Sequence, residues 1–185
     1  GVDIRLNGEF VRGAESWVNL SFLRTREAID GVQHQIRELG DREGRPVNDV
    51  PRPTDRFFTV STFFQDYLRR NENIRMHLNF TVGSGLPFGV VDNNTVYRNP
   101  YRFKPYHRVD IGFGFQLWKQ EWRERKPRHF LRFTRSTWAS LEVFNLMKVA
   151  NEASNTWVKA ITNVQYAIPN YLTGRRINVR IRMDF

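Results

Sequence analysis

Residues 176 to 185 read RINVRIRMDF, in which Ile177, Val179, Ile181, Met183 and Phe185 alternate without a break with Arg176, Asn178, Arg180, Arg182 and Asp184. Successive side chains of a β-strand point to opposite faces, so this period of two predicts a strand with one apolar and one polar face. The pattern recurs along the chain. Val2, Ile4, Leu6 and Phe10 alternate with Asp3, Arg5, Asn7 and Glu9, and Val18, Leu20 and Phe22 with Asn19 and Ser21. Ile74, Met76, Leu78, Phe80 and Val82 alternate with Arg75, His77, Asn79, Thr81 and Gly83. Val109, Ile111, Phe113, Phe115 and Leu117 alternate with Arg108, Asp110, Gly112, Gly114 and Gln116. Residues 134 to 145 set Ala139, Leu141 and Val143 opposite Trp138, Ser140, Glu142 and Phe144. Residues 56 to 68, RFFTVSTFFQDYL, form a strand by their aromatic and β-branched content, but the pairs Phe57–Phe58 and Phe63–Phe64 leave its facing open. The expectation is seven strands.

The period names strands and leaves their solvent open, since a half-buried strand of a soluble sandwich shows it too. A chain of 185 residues with 40% hydrophobic and 14% aromatic content is too rich in rings for disorder. It has no cysteine, which excludes a disulfide framework and the usual zinc fingers. No run is apolar enough for a transmembrane helix, and GVDIRLNGEF has no signal-peptide core. Transmembrane strands escape hydropathy because only alternate residues need be apolar.

The connections discriminate further. RGAES (12 to 16) and RRNEN (69 to 73) are short, and the link near 120 to 133 is intermediate and readable as extended strand. Between them lie long segments at 27 to 55, 84 to 106 and 146 to 173. Up-and-down outer-membrane barrels have tight periplasmic turns and long outer loops, with strands of about 9 to 11 residues. By that parity the periplasmic ends carry Phe10, Trp17, Tyr67, Trp118, Trp122, Phe133 and Phe185, in the position of an interfacial aromatic girdle. The lipid-facing set is then Ile74, Met76, Leu78, Phe80, Val109, Ile111, Phe113, Phe115, Ile177, Val179 and Ile181. The lumen-facing set is Arg75, His77, Asn79, Arg108, Asp110, Gln116, Arg176, Asn178, Arg180 and Arg182.

The stretches LEVFNLMKVANEASNTWV (141 to 158) and AIPNYLTGRRINVRIRMDF (167 to 185) resemble the C-terminal end of Bacteroidetes-type TonB-dependent outer-membrane receptors. GSGLPFG (83 to 89), YHRVDIGFGF (106 to 115) and SWVNLSFLRTREAIDG (16 to 31) are similar to the same receptors. The resemblance implies an all-β, antiparallel up-and-down transmembrane barrel of about 22 strands, of which residues 1 to 185 are a C-terminal portion without the plug domain. It implies import of a bulky nutrient, with the remaining barrel strands and the plug as partners and TonB acting through the plug. Outer-membrane lipid, lipopolysaccharide and the barrel assembly machinery are further implied partners, Phe185 resembling the C-terminal insertion signal. A lid lipoprotein over the loops and the identity of the substrate stay open. An odd, open set of strands would leave two edges unpaired in lipid, so the chain is expected to be part of something larger. The competing architecture is an eight-stranded barrel with a missed strand in 156 to 166. Pro169 and Gly174, the latter able to take a positive φ that other residues avoid, are expected to punctuate the entry to the last strand, and the Asn145 side chain to bond local backbone.

The net charge of +10 raises single-stranded nucleic acid as a ligand, with YRNPYRFKPYHR (97 to 108) and WKQEWRERKPRHF (118 to 130) as the basic, aromatic stretches. Both lie at strand ends and connections, which favours anionic lipid head groups at a membrane interface instead. A soluble basic β-sandwich binding module is the alternative from another class. No enzyme is expected. His34, His77, His107 and His129 are scattered without metal-ligand spacing, no histidine base is placed near Ser140 and Glu142, and DREGRPVNDV (41 to 50) lacks a calcium-loop pattern. No catalytic residue, metal or cofactor is assigned.

Overall fold

The computed structural model describes residues 1–11, 14–36, 43–68, 71–90, 96–162 and 164–185, apart from the side chains of Phe10 and Val11. Arg12 and Gly13 of the first expected turn, Arg69 and Arg70 of the second, Asp41 and Arg42 of the acidic loop, and the expected girdle ring of Phe10 therefore lie outside the described residues. The chain is all-β with antiparallel pairing. One sheet holds seven strands, here labelled β1 (Val2–Val11), β2 (Ala14–Phe22), β3 (Phe58–Leu68), β4 (Asn71–Gly83), β5 (Tyr106–Lys119), β6 (Ser136–Phe144) and β7 (Arg176–Asp184). Each pairs with its neighbours in the chain, giving an up-and-down meander of strands 9 to 14 residues long. β1 and β7 are not joined, so the sheet is open rather than closed into a barrel.

Pairing register carries the sequence alternation across the sheet. One row runs Phe64, Leu78, Ile111, Val143, Ile177; the next runs Met76, Phe113, Leu141, Val179, and a third Ile74, Phe115, Ala139, Ile181. Phe80 faces Val109 in the same layer. The eleven apolar residues singled out above thus share one face. Register also resolves the paired phenylalanines of β3. Phe64 joins this apolar face beside Leu78, whereas Phe63 lies opposite Asn79 and Trp17 on the other.

No second layer covers the apolar face among the described residues. Ile177, Val179 and Ile181 are 70%, 68% and 60% exposed, and Phe113, Phe115 and Leu141 in the middle of the sheet are exposed as well. The opposite face buries charge instead, with Asp110 at 7% and Glu142 at 5%. Buried apolar side chains among the described residues are Ala14, Val50, Trp118 and Leu131, none of which is a mid-sheet residue. A water-soluble sheet shows the reverse distribution, because ionisable groups are rarely buried and aliphatic ones usually are. No helix of the described residues is long and apolar enough to cross a membrane, which says nothing of strands.

The two ends of the sheet differ as expected. At the long-loop end, Arg26–Glu27 pairs with Val50–Pro51, His34–Ile36 with Arg45–Val47, and Pro87–Phe88 with Tyr101–Arg102. Arg102 ties these segments together by binding the Asp55 carboxylate and donating to the carbonyls of Asp55 and Gly85, both at 3.0 Å. A Cβ on Gly85 would lie 1.7 Å from the Phe103 carbonyl oxygen, so the GSGLPFG segment needs glycine there for close backbone approach.

Four expectations about connections are corrected. The proposed eighth strand, 156 to 166, is split between the two strands of a separate hairpin, Glu152–Lys159 with Gln165–Tyr171, and adds nothing to the large sheet. Pro169 sits inside that hairpin opposite Asn155, an isolated two-stranded ribbon tolerating a residue with no N–H. Gly174 does not adopt a positive φ; Asn145 and Lys148 do, at 52° and 55°, where β6 turns into its loop. The link after β5 is a 3-10 turn at Gln120–Trp122 followed by successive turns, not extended strand. There Trp118 is fully buried, stacked on His129 with centroids 4.8 Å apart, and its indole N–H donates to the Thr134 carbonyl at 3.0 Å. It is therefore the centre of a small cap and not a girdle ring. A bulge between Gln116 and Trp118 turns this indole under the cap and leaves Leu117 exposed.

Candidate functional site: the polar trough

The polar face is concave and encloses an open trough of about 1930 Å³. It is built row by row. Gln116, Trp138 and Arg182 form one row, Arg75, Gly114, Ser140 and Arg180 the next, and His77, Gly112, Glu142 and Asn178 the third. The two glycines of VDIGFGF on β5 are the device that assembles them. A Cβ on Gly112 would sit 2.2 Å from the His77 ring, so the imidazole of β4 lies over the β5 backbone and reaches toward β6. His77 Nε2 comes 4.0 Å from the Glu142 carboxylate. Over Gly114 in the same way, the Arg75 guanidinium crosses to stack on Trp138, 4.1 Å from the ring centroid, with Tyr67 at 5.1 Å on its own side.

Glu142 is the electrostatic centre. Its carboxylate accepts from Asn178 Nδ2 at 2.9 Å and Arg180 at 2.5 Å in addition to its approach to His77. A buried carboxylate is tolerable only with such partners, and Glu142 collects them from β4 on one side and β7 on the other. An aromatic row continues toward β1. Phe63 lies between Trp17 and His77, with centroids at 6.1 and 5.9 Å, and Arg5 stands 5.9 Å over Trp17. Trp17 and Tyr67, expected in a girdle, thus lie on the polar face, where Tyr67 lines the trough. Of the expected girdle, Phe133 and Phe185 are exposed and approach each other at 6.1 Å.

The ten polar residues singled out in the sequence share this face, but they divide into two groups. Arg75, His77, Gln116, Arg180 and Arg182 line the trough, and Asn178 reaches it through Glu142. Asn79, Arg108, Asp110 and Arg176 lie nearer the long loops. Asp110 there accepts from Arg108 at 2.6 Å, from the Asn145 backbone N–H at 2.8 Å and from Asn79 at 3.5 Å. The Asn145 side chain bonds the N–H and carbonyl of Val149, at 3.0 and 2.9 Å, so this asparagine closes the turn as its sequence context suggested. Asn151 extends the pattern by bonding both backbone groups of His107.

Sequence parity set Trp138 and Glu142 opposite Leu141 but the lumen-facing set left them out, the facing of Phe63 was open, and Trp17 was expected in a girdle. The signal that finds them is Gly-x-Gly at polar positions of a strand flanked by strands with bulky polar partners. Two buried polar atoms on this face, Asn19 Oδ1 and Arg75 Nε, have no hydrogen-bond partner among the described residues. No group of three or more His, Asp or Glu able to hold a metal ion occurs among the described residues.

No family model, curated protein or solved structure matches the chain.

Proposed function

We propose that this chain is a stretch of barrel wall from a TonB-dependent outer-membrane receptor that imports a bulky nutrient. One observation carries the reading: an uncovered apolar face spans all seven strands while the opposite face buries paired charge. Hydrocarbon is the solvent that makes such a face favourable, each exposed aliphatic side chain gaining about 1.5–3 kcal/mol on leaving water. In this reading the rows through Ile111, Phe113 and Leu141 meet lipid, and the trough faces the lumen of a barrel of about 22 strands. The open edges at β1 and β7 receive the neighbouring strands of the same wall, since unpaired backbone is not stable in hydrocarbon. The trough receives the plug. Arg180 and Arg182, whose side chains are largely exposed on this face, leave guanidinium donors open to such an element. Transport then depends on movement of that plug, with the trough holding it through the exposed Arg180 and Arg182 rather than binding nutrient itself.

Expression with the polypeptide it adjoins, followed by membrane fractionation, tests the reading. Recovery with the outer membrane, resistant to carbonate and released by detergent, is the expected result. A chain that remains monodisperse in plain buffer refutes it.

A further inference from the structure

Resting on the outer-membrane reading, the cap after β5 carries a distinct feature of its own. Residues 119 to 135 hold seven cations, Lys119, Arg123, Arg125, Lys126, Arg128, Arg132 and Arg135, against two carboxylates, Glu121 and Glu124. Half of the chain's net +10 is therefore concentrated in one short connection. Among the described residues, Lys119 alone of the seven forms an ion pair, with Glu121 at 2.9 Å. The cap is not a loose loop. Trp118, Leu131, Thr134 and Thr137 are buried beneath it, and the Thr134 and Thr137 hydroxyls are joined at 2.8 Å. That small core sets the backbone from which the cations project.

We propose that the cap is a binding site for the phosphate head group of an anionic glycerophospholipid in the leaflet at the short-turn end of the wall. Arg123, Arg132 and Arg135 line a cavity of about 230 Å³ together with Phe133 and Phe185. Guanidinium forks suit phosphate oxygens in paired hydrogen bonds. Phe130, Phe133 and Phe185 are exposed around them, and Phe185 continues the apolar face through Met183 and Ile181. Charge beside exposed rings at the margin of an apolar face matches a lipid better than a free anion. The cations meet the head group and the rings meet the first methylenes of the acyl chains. Lipopolysaccharide belongs to the leaflet at the long-loop end in this orientation, which leaves phospholipid as the occupant.

Native mass spectrometry of the chain expressed with the polypeptide that completes its wall, in detergent micelles with equal phosphatidylglycerol and phosphatidylcholine added, tests the site. Phosphatidylglycerol is expected to be retained at least about tenfold over phosphatidylcholine, and R123Q/R132Q/R135Q to lose about tenfold of that retention. R123K/R132K/R135K keeps the charge and is expected to recover part of it. Raising salt over the wild-type chain, which needs no variant to fold, is expected to release the lipid. Unchanged retention in the glutamine variant, equal retention of both lipids, or displacement by millimolar inorganic phosphate overturns the proposal, the last in favour of a simple anion site. A detergent-requiring chain indifferent to phosphatidylglycerol sinks this inference alone, whereas a chain that needs no detergent sinks it together with the barrel-wall reading.

Discussion

The two faces of the seven-stranded sheet are made by the same strands, yet they are organised by different rules. On the apolar face the register sets like beside like in continuous rows, Val143 between Ile111 and Ile177, Leu141 between Phe113 and Val179, and Ala139 between Phe115 and Ile181. Any aliphatic residue of similar size suits such a face. On the polar face, contacts skip a strand: His77 reaches Glu142 over Gly112, and Arg75 reaches Trp138 over Gly114. A face whose solvent supplies the stabilisation tolerates exchange, whereas a face stabilised by particular pairs does not.

Substitutions on opposite faces of β5 break this comparison most strongly. Phe113→Arg on the apolar face is expected to destabilise the assembled wall in lipid vesicles by about 2–4 kcal/mol, the cost of a cation near a bilayer midplane. Gln116→Arg on the trough face should change stability by no more than about 0.5 kcal/mol. Urea titration in vesicles measures both, and an equal response of the two positions would remove hydrocarbon from the picture. Next in size, Glu142→Ala leaves Asn178 and Arg180 without their acceptor and is expected to cost about 1–3 kcal/mol by the same titration. Leu141→Ile, one residue away on the other face, should cost less than about 1.5 kcal/mol.

Gly112→Ala sharpens the point about contacts that skip a strand. Its methyl group would collide with the imidazole, so a loss of about 1–3 kcal/mol is expected. The double variant Gly112→Ala/His77→Ala should recover a good part of it. Additive losses in that cycle would show that the glycine serves something other than the His77 crossing. Arg75→Met removes the cation from Trp138 while keeping the stem; a loss of about 0.5–1 kcal/mol is expected, with the Trp138 fluorescence altered.

Much of the seven-stranded sheet was legible from residue order alone. Period-two alternation located six of the seven strands and aromatic, β-branched content the remaining one, β3, while loop lengths gave their up-and-down order, because a strand's two faces and the shortness of a hairpin turn are local properties. Asn145 was legible for the same reason, its bonds to Val149 lying within one turn. The facing of β3 was not, since Phe57–Phe58 and Phe63–Phe64 satisfy either register and only the pairing of Phe64 with Leu78 selects one.

The aromatic residues show the limit most plainly. Sequence put Trp17, Tyr67 and Trp118 at one end of the strands, correctly, but which way each ring turns depends on what arrives from elsewhere in the chain. Trp118 is buried because residues 129 to 134 fold back over it after a bulge, and Trp17 faces inward to lie beside Phe63 on a strand 46 positions later. Alternation along one strand is dictated by backbone geometry and survives in any environment. The meeting of His77 with Glu142, 65 residues apart in sequence and separated by one strand in space, exists only once register has been chosen across three strands. Tertiary pairing alone makes that choice, because a slip of one residue at any of those interfaces would send every side chain to the other face.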